Sequence, residues 1–283
     1  MVATLRKSTD MKMAEETKIP KREDIVLSVK GVGVAYGDRE AIRNHTFDIR
    51  KGEFIAIVGP SGCGKSTMLN VLSGLLPPTV GSVSVEDKQL YGPEHQDPRL
   101  GYVFQAHRLL PWRTVKQNLE LVLASTSIPK DQWDADIDRM LDILQIKQFK
   151  NTWPLKMSGG QRQRVSIARA LLVQPSFILM DEPLATLDEV TARTLRQELI
   201  TIWERTGQTI IFVTHSLREA VYLADRIIIL SRGPSSVFMD YKVPLARPRP
   251  YEDPQIGQIE AELIEKVLVP WGLSQPDTGI ERR

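Results

Sequence analysis

Cysteine is almost missing from this sequence. Cys63 stands alone among 283 residues, so no disulfide forms within the chain and a reducing compartment fits. Long apolar runs are missing too. No window approaches the roughly 18 to 20 continuous apolar residues that cross a bilayer, so any membrane role falls to a partner chain. Residues 1–24 are polar and lysine-rich, carry no apolar stretch of the secretory type, and are expected to form a disordered tail. Neither charge sign is in excess: a net charge of +2 makes no case for nucleic acid or anionic lipid. No sustained heptad pattern is visible, which excludes a long coiled coil. What remains is an ordinary globular composition, 42% hydrophobic and 25% charged, at a length that suits one α/β domain with an insertion.

The most informative stretch is Gly59-Pro60-Ser61-Gly62-Cys63-Gly64-Lys65-Ser66-Thr67. Before it, Phe54-Ile55-Ala56-Ile57-Val58 reads as a buried strand; after it, Met68-Leu69-Asn70-Val71-Leu72 reads as a helix. Strand, glycine-rich turn and helix N-terminus meet the context that the G-x-x-x-x-G-K-[ST] pattern requires. Glycines let backbone N–H groups turn inward as an anion nest, and the helix N-terminus adds partial positive charge. Lys65 then reaches the outer phosphates and the Ser66 hydroxyl is placed to ligate Mg²⁺. This is a nucleoside triphosphate site, and Cys63 reads as a small residue that its loop tolerates.

Other segments fall around it. Ile25-Val26-Leu27-Ser28-Val29 and His45-Thr46-Phe47-Asp48-Ile49 alternate and predict half-exposed antiparallel strands, as does Gly81-Ser82-Val83-Ser84-Val85. Between the first two, Tyr36 precedes a Gly37-Asp38 turn; it is either a strand-end aromatic or a ring that stacks on a base. Leu100-Gly101-Tyr102-Val103-Phe104 predicts a short buried strand ending at Gln105, either a ligand of Mg²⁺ or water at a strand's carboxyl end or a plain loop glutamine. Helical periodicity fills residues 114–150, with Val115, Leu119 and Val122 on one face and Ile137, Leu141, Leu144 and Ile146 on another. Ser158-Gly159-Gly160-Gln161 opens a strong helix pattern and is either a simple helix start or a second anion nest. Ser176-Phe177-Ile178-Leu179-Met180 predicts a buried strand that ends in Asp181-Glu182. Two carboxylates there are costly unless they meet a cation or water, so Asp181 suits Mg²⁺ and Glu182 suits a general base. Thr209-Ile210-Ile211-Phe212-Val213 ends in Thr214-His215, where the histidine is either a strand-end residue or a partner of phosphate or of the base. Arg226-Ile227-Ile228-Ile229-Leu230 predicts one more strand. Beyond Gly233-Pro234 prolines accumulate, and residues 259–268 predict a short amphipathic helix.

In order and spacing the set resembles the ATP-binding subunit of an ABC transporter, over roughly residues 25–233. The resemblance implies a P-loop NTPase α/β core of mostly parallel sheet, an N-terminal antiparallel β subdomain and a helical subdomain inserted at about residues 106–160. Residues 234–283 would then be a Pro-rich extension. It also implies ATP and Mg²⁺ as ligands. Tyr36 would stack on adenine, and Gly59, Ser61, Gly62, Cys63, Gly64, Lys65, Ser66 and Thr67 would hold phosphate. Gln105 would be the lid glutamine, Ser158, Gly159, Gly160 and Gln161 the family's SGGQ signature, and Asp181 and Glu182 the metal-site aspartate and catalytic glutamate. Asp188 would lie in the dimer-spanning loop and His215 would be the switch histidine. The implied partners are a second ATP-binding subunit, an integral membrane permease and, indirectly, a solute-binding protein, at the cytoplasmic face of the inner membrane. Leu109-Leu110-Pro111-Trp112 and Pro244-Leu245-Ala246-Arg247-Pro248-Arg249-Pro250 are similar to the nitrate, sulfonate and taurine importer group. An exporter ATPase shares the same engine, and a soluble family member of the repair type would carry the coiled coil that is missing here. Departures from the family pattern include Met157 before SGGQ, where leucine is usual, and Ser216 after His215, where an acid is usual.

Overall fold

A computed structural model describes residues 24–92, 99–185, 187–268 and 271–272. The expectation for the N-terminal tail, residues 1–23, lies outside the described residues. In chain order the elements are β1 (Ile25–Tyr36), β2 (Arg39–Arg50), β3 (Phe54–Val58), α1 (Lys65–Leu72), β4 (Val80–Val85), β5 (Lys88–Gln89) and β6 (Leu100–Val103). Then come α2 (Val115–Leu123), α3 (Trp133–Ile143), α4 (Gly159–Leu172), β7 (Phe177–Asp181), α5 (Glu189–Thr206) and β8 (Ile210–Thr214). The chain continues through α6 (Leu217–Leu223), β9 (Arg226–Leu230), β10 (Val237–Lys242) and α7 (Pro254–Leu268).

The strands form two sheets. One is six-stranded in the order β10-β9-β3-β8-β7-β6; the other is four-stranded in the order β2-β1-β4-β5. In the larger sheet β9, β3, β8, β7 and β6 run parallel, and β10 pairs antiparallel with β9. Its central strands are apolar throughout because both faces are covered. Phe54, Ala56 and Val58 of β3 point into a core shared with α2 to α7, whereas Ile55 and Ile57 point into a second core against α1 and the smaller sheet. β7, β8 and β9 split in the same way: Met180, Phe212 and Ile229 go to the first core, Leu179, Val213 and Ile228 to the second. This alternation is the strand's period of two seen from both sides.

Two expectations need correction. The opening of β1 is not half exposed: Val26, Leu27 and Val29 are all buried. β1 is paired on both edges, and an irregularity in its register between Ile25 and Leu27 lets adjacent residues enter the core. The edge strand β2 does keep its alternation, with His45, Phe47 and Ile49 buried between exposed neighbours. The second correction concerns the C-terminal stretch. Packing does not change at Gly233, because β10 extends the main sheet and Ile256, Ile259, Leu263 and Val267 of α7 join the first core. The helix also starts at Pro254, a turn earlier than the expected 259.

Candidate active site

β3, β8 and β7 are neighbours in the sheet and run parallel, so their carboxyl ends lie side by side. From β3 the chain enters the loop Gly59–Thr67. Gly62 and Gly64 hold positive φ angles of 76° and 109°, which glycine adopts without the steric cost of a Cβ. At Gly64 a Cβ would also approach Ala41 O and Ser235 Oγ at 3.3 Å each. α1 begins immediately afterwards, so its free N–H groups and positive end face the loop.

Lys65 is buried, and its ammonium donates to the carbonyls of Gly59 at 2.8 Å and Pro60 at 3.2 Å. The same ammonium lies 3.9 Å from Glu182 Oε1. Glu182, one residue past β7, has φ +42°, a left-handed conformation costing an L-residue about 1 kcal/mol or more. It is held there by its N–H, which donates to Val213 O at 3.0 Å. On its far side Glu182 Oε2 is 3.2 Å from Nδ1 of the exposed His215 at the end of β8. Next to it, burial pushes the Asp181 carboxyl above the usual range; the Glu182 charge adds to this and Lys65 opposes it. Glu182 joins Ser61, Gly62, Gly64, Lys65, Ser66 and Thr67 around one cavity of about 320 Å³. Cys63 points away into the second core, where burial pushes its thiol up and leaves it inert.

Beside this cavity a larger cleft of about 740 Å³ runs from the loop to Tyr36, with Arg39, Ala41, Arg232 and Pro234 in its walls. Tyr36 is 54% exposed, so its ring is free to meet a planar ligand. Arg39 and Arg232 carry no motif, and only the fold brings them together.

Other expected site residues stand apart from the loop. Gln105 is exposed just past β6, beyond β7, and does not line the phosphate-loop cavity. Ser158 caps α4: its hydroxyl accepts from Gln161 N–H at 3.3 Å, and Gln161 Oε1 accepts from Ser158 N–H at 2.9 Å. Ser158, Gly160 and Gln161 border a separate cleft with Val190 and Thr191 of α5. Gly160 must lack a side chain, since a Cβ would come within 2.8 Å of Thr191 Cγ2. Gly159 sits against Leu187. Asp188 caps α5, accepting from Thr191 N–H at 3.0 Å and Thr191 Oγ1 at 2.7 Å, and these bonds hold its carboxyl below the usual range. One chain therefore gathers Tyr36, the loop, Asp181, Glu182 and His215. It keeps Ser158–Gln161 and Asp188 on another part of its surface.

Residues 42–185 match the family model described as ABC transporter. The Aliphatic sulfonates import ATP-binding protein SsuB of Albidiferax ferrireducens is 40% identical over 242 residues, 86% of this chain and 83% of that protein. The Taurine import ATP-binding protein TauB of Roseobacter denitrificans is 37% identical over 207 residues, 73% of this chain and 76% of its own. Among solved structures, the dimeric post-hydrolysis state of the ATP-binding cassette MJ0796 bound to ADP and Pi matches with a TM-score of 0.67 at 33% identity. That match covers 78% of this chain and 100% of the other. A family match over half of the sequence and identity near 40% over most of it agree with the geometry at the strand ends: the chain belongs to the ABC transporter family and is one of its ATP-hydrolysing subunits.

Proposed function

We propose that this subunit drives import of a small anionic solute, such as a sulfonate, taurine or nitrate, through a separate membrane permease, and that it works as one half of a head-to-tail dimer. The observation that carries the dimer is the separation just described. The Lys65 loop and Glu182 share one cavity, while the Ser158 helix start, with Gly159 and Gly160 N–H groups in a first turn that lacks intrahelical acceptors, borders a separate cleft. A second copy turned about a twofold axis lays its Ser158 nest over the γ-phosphate held by Lys65. Donors on both faces then surround the phosphate and bulk water is shut out, which strengthens each contact. The direction of transport and the solute class rest on the two relatives named for import of sulfonates and taurine.

The chemistry follows from the groups present. Lys65 offsets charge on the outer phosphate oxygens. Glu182 accepts a proton from the attacking water as its oxygen bonds to the γ-phosphorus and the bond to the β–γ bridging oxygen breaks, releasing ADP and phosphate. His215, at 3.2 Å, fixes the orientation of that carboxylate. Ser66 and Asp181 offer the hard oxygen donors that Mg²⁺ prefers, and the two adjacent carboxylates with only Lys65 between them and the loop leave negative charge for such a cation. When bound, Mg²⁺ supplies charge neutralisation at the phosphate oxygens. Tyr36 stacks on the adenine, and Gln105, exposed just past β6 and outside the phosphate-loop cavity, is assigned to the γ-phosphate by the family resemblance alone. Among the described residues no helix is long and apolar enough to cross a membrane, consistent with attachment through the permease. The exposed Trp112, beside Leu109 and Leu110, is the contact we assign to it.

The test combines three variants. Glu182→Gln binds ATP, loses turnover by about 10² or more, and accumulates as an ATP-dependent dimer in light scattering. Ser158→Arg and Lys65→Ala are each inactive, yet mixing them restores hydrolysis, because the heterodimer holds one intact composite site. Full activity in a strictly monomeric protein at every concentration, or near-normal turnover in Glu182→Gln, overturns the reading.

A further inference from the structure

Arg196 lies in the middle of α5 with 2% of its surface exposed. A guanidinium in such a place needs compensating charge, and it has two carboxylates from different elements. Its Nη2 donates to Glu189, the first residue of α5, and its Nη1 donates to Glu219 Oε1 in α6 at 3.2 Å. The Tyr251 ring covers it, with the guanidinium carbon 4.2 Å from the ring centre. Tyr251 in turn meets Tyr222 of α6 edge-on, its centroid 5.2 Å away. None of these five side chains lines the phosphate-loop cavity.

Both carboxylates lead to functional loops. Glu189 directly follows Asp188. The other oxygen of Glu219 accepts from Thr214 Oγ1 at 2.9 Å, and Thr214 Oγ1 accepts from Ser216 N–H at 3.0 Å, so this cluster brackets His215 on both sides. His215 then contacts Glu182 at 3.2 Å. A short path of charge-assisted hydrogen bonds thus runs from the Asp188 turn, through one buried cation, to the backbone that aims the histidine. If Glu189 is drawn away, Arg196 loses half of its compensation and shifts its weight onto Glu219, which moves the Thr214–Ser216 turn. The C-terminal stretch closes the device from the far end of α6, where the Arg249 guanidinium binds the carbonyls of Val221 at 2.7 Å and Ala224 at 2.8 Å.

We infer that Arg196 is a positioning residue that couples the Asp188 loop to His215, so that docking of a second copy on Asp188 sets the geometry at Glu182. The inference rests on the shared-site reading above. A purely structural Arg196 would show in stability alone.

The test is a double-mutant cycle on Glu189→Gln and Glu219→Gln, reading kcat and KM for ATP together with the thermal midpoint. Each single change is expected to lower kcat about fivefold with KM within about twofold, and the double variant to lose about as much as either one, because both break the same link. The thermal midpoint, by contrast, falls furthest in the double variant. In an Arg196→Met background neither change affects kcat further. Should Arg196→Met not fold, the carboxylate pair still decides the matter, since the Glu189 side chain is 75% exposed and its amide leaves the packing intact. Losses that multiply to about 25-fold, or midpoints that fall while kcat stays level, overturn the coupling. If Glu182→Gln has lost turnover while these losses multiply, only the coupling fails; if Glu182→Gln turns over normally, the shared-site reading fails first.

Discussion

His45 allows a quantitative prediction about acid stability. It sits on β2 with no exposed surface, and its Nε2 lies 3.0 Å from Ser235 O and 3.2 Å from Ser235 Oγ. A carbonyl only accepts, so Nε2 carries the proton; Nδ1 is buried without a partner. Protonating Nδ1 would bury an unpaired positive N–H. Burial therefore pushes the pKa from 6.5 down to about 4, against the opposing effect of the Ser235 bond. The unfolded chain takes up the proton near pH 6.5 and the folded chain does not until about 4, so stability falls as pH drops through that window. At 1.36 kcal/mol per pH unit the loss is about 2 kcal/mol at pH 5 and about 3 kcal/mol by pH 4, a large share of the ~5–15 kcal/mol typical of a domain. Ser235 also ties β2 to the Arg232–Pro234 wall of the nucleotide cleft, accepting from Arg43 N–H at 2.7 Å and donating to Ala41 O at 3.0 Å. The assay is urea unfolding from pH 7.5 to 4.5 for wild type and His45→Gln, whose amide can still donate to Ser235 O. His107, also pushed down by burial, cancels in the difference. The variant should lose about 2 kcal/mol less than wild type between pH 7.5 and 5. Parallel curves, with a pH-independent difference, refute the argument.

Two further perturbations test other parts of the molecule. Gly101→Ala places a Cβ 2.7 Å from the backbone oxygen of Ala170, which cannot yield without moving α4 off β6; a loss of about 2 kcal/mol in denaturant unfolding is expected, and an unchanged midpoint shows that the two elements slide apart freely. Trp112→Asp, at a side chain 72% exposed, should abolish both ATP-driven transport and copurification with the permease; retention of both removes Trp112 from the docking contact.

What the sequence disclosed, and what it withheld, follows from how local each signal is. The phosphate loop was legible because its chemistry is contained in nine consecutive residues between a strand and a helix. β3, β7, β8 and β9 were legible because burial on two faces turns a strand into an unbroken apolar run. The contact between Glu182 and His215 was only partly so: each residue marks a strand end, but their 3.2 Å approach depends on β7 and β8 being neighbours in the sheet. Arg39 and Arg232 share a cleft across most of the chain, and no periodicity announces that. β10 was missed because an edge strand with alternating half-buried residues, in a proline-rich region, carries little hydrophobic signal.

The C-terminal stretch shows why an extension and a core element can look alike in sequence. Arg249 is buried against helix-end carbonyls of α6, and Arg247 lies 4.4 Å from the centre of the Trp203 ring while pairing with Asp225 at 2.7 Å. Both satisfy acceptors that α6 and the start of β9 would otherwise bury. The opposite end of α6 explains a departure from the family pattern. Ser216 replaces an acid there, but its hydroxyl accepts from Glu219 N–H at 3.2 Å, the same capping role an aspartate would fill. With both ends of α6 tied down, the His215 turn just before it has little freedom except through Glu219. Glu219, one of the two carboxylates that Arg196 holds, bonds that turn through Thr214, so the coupling proposed above acts through it.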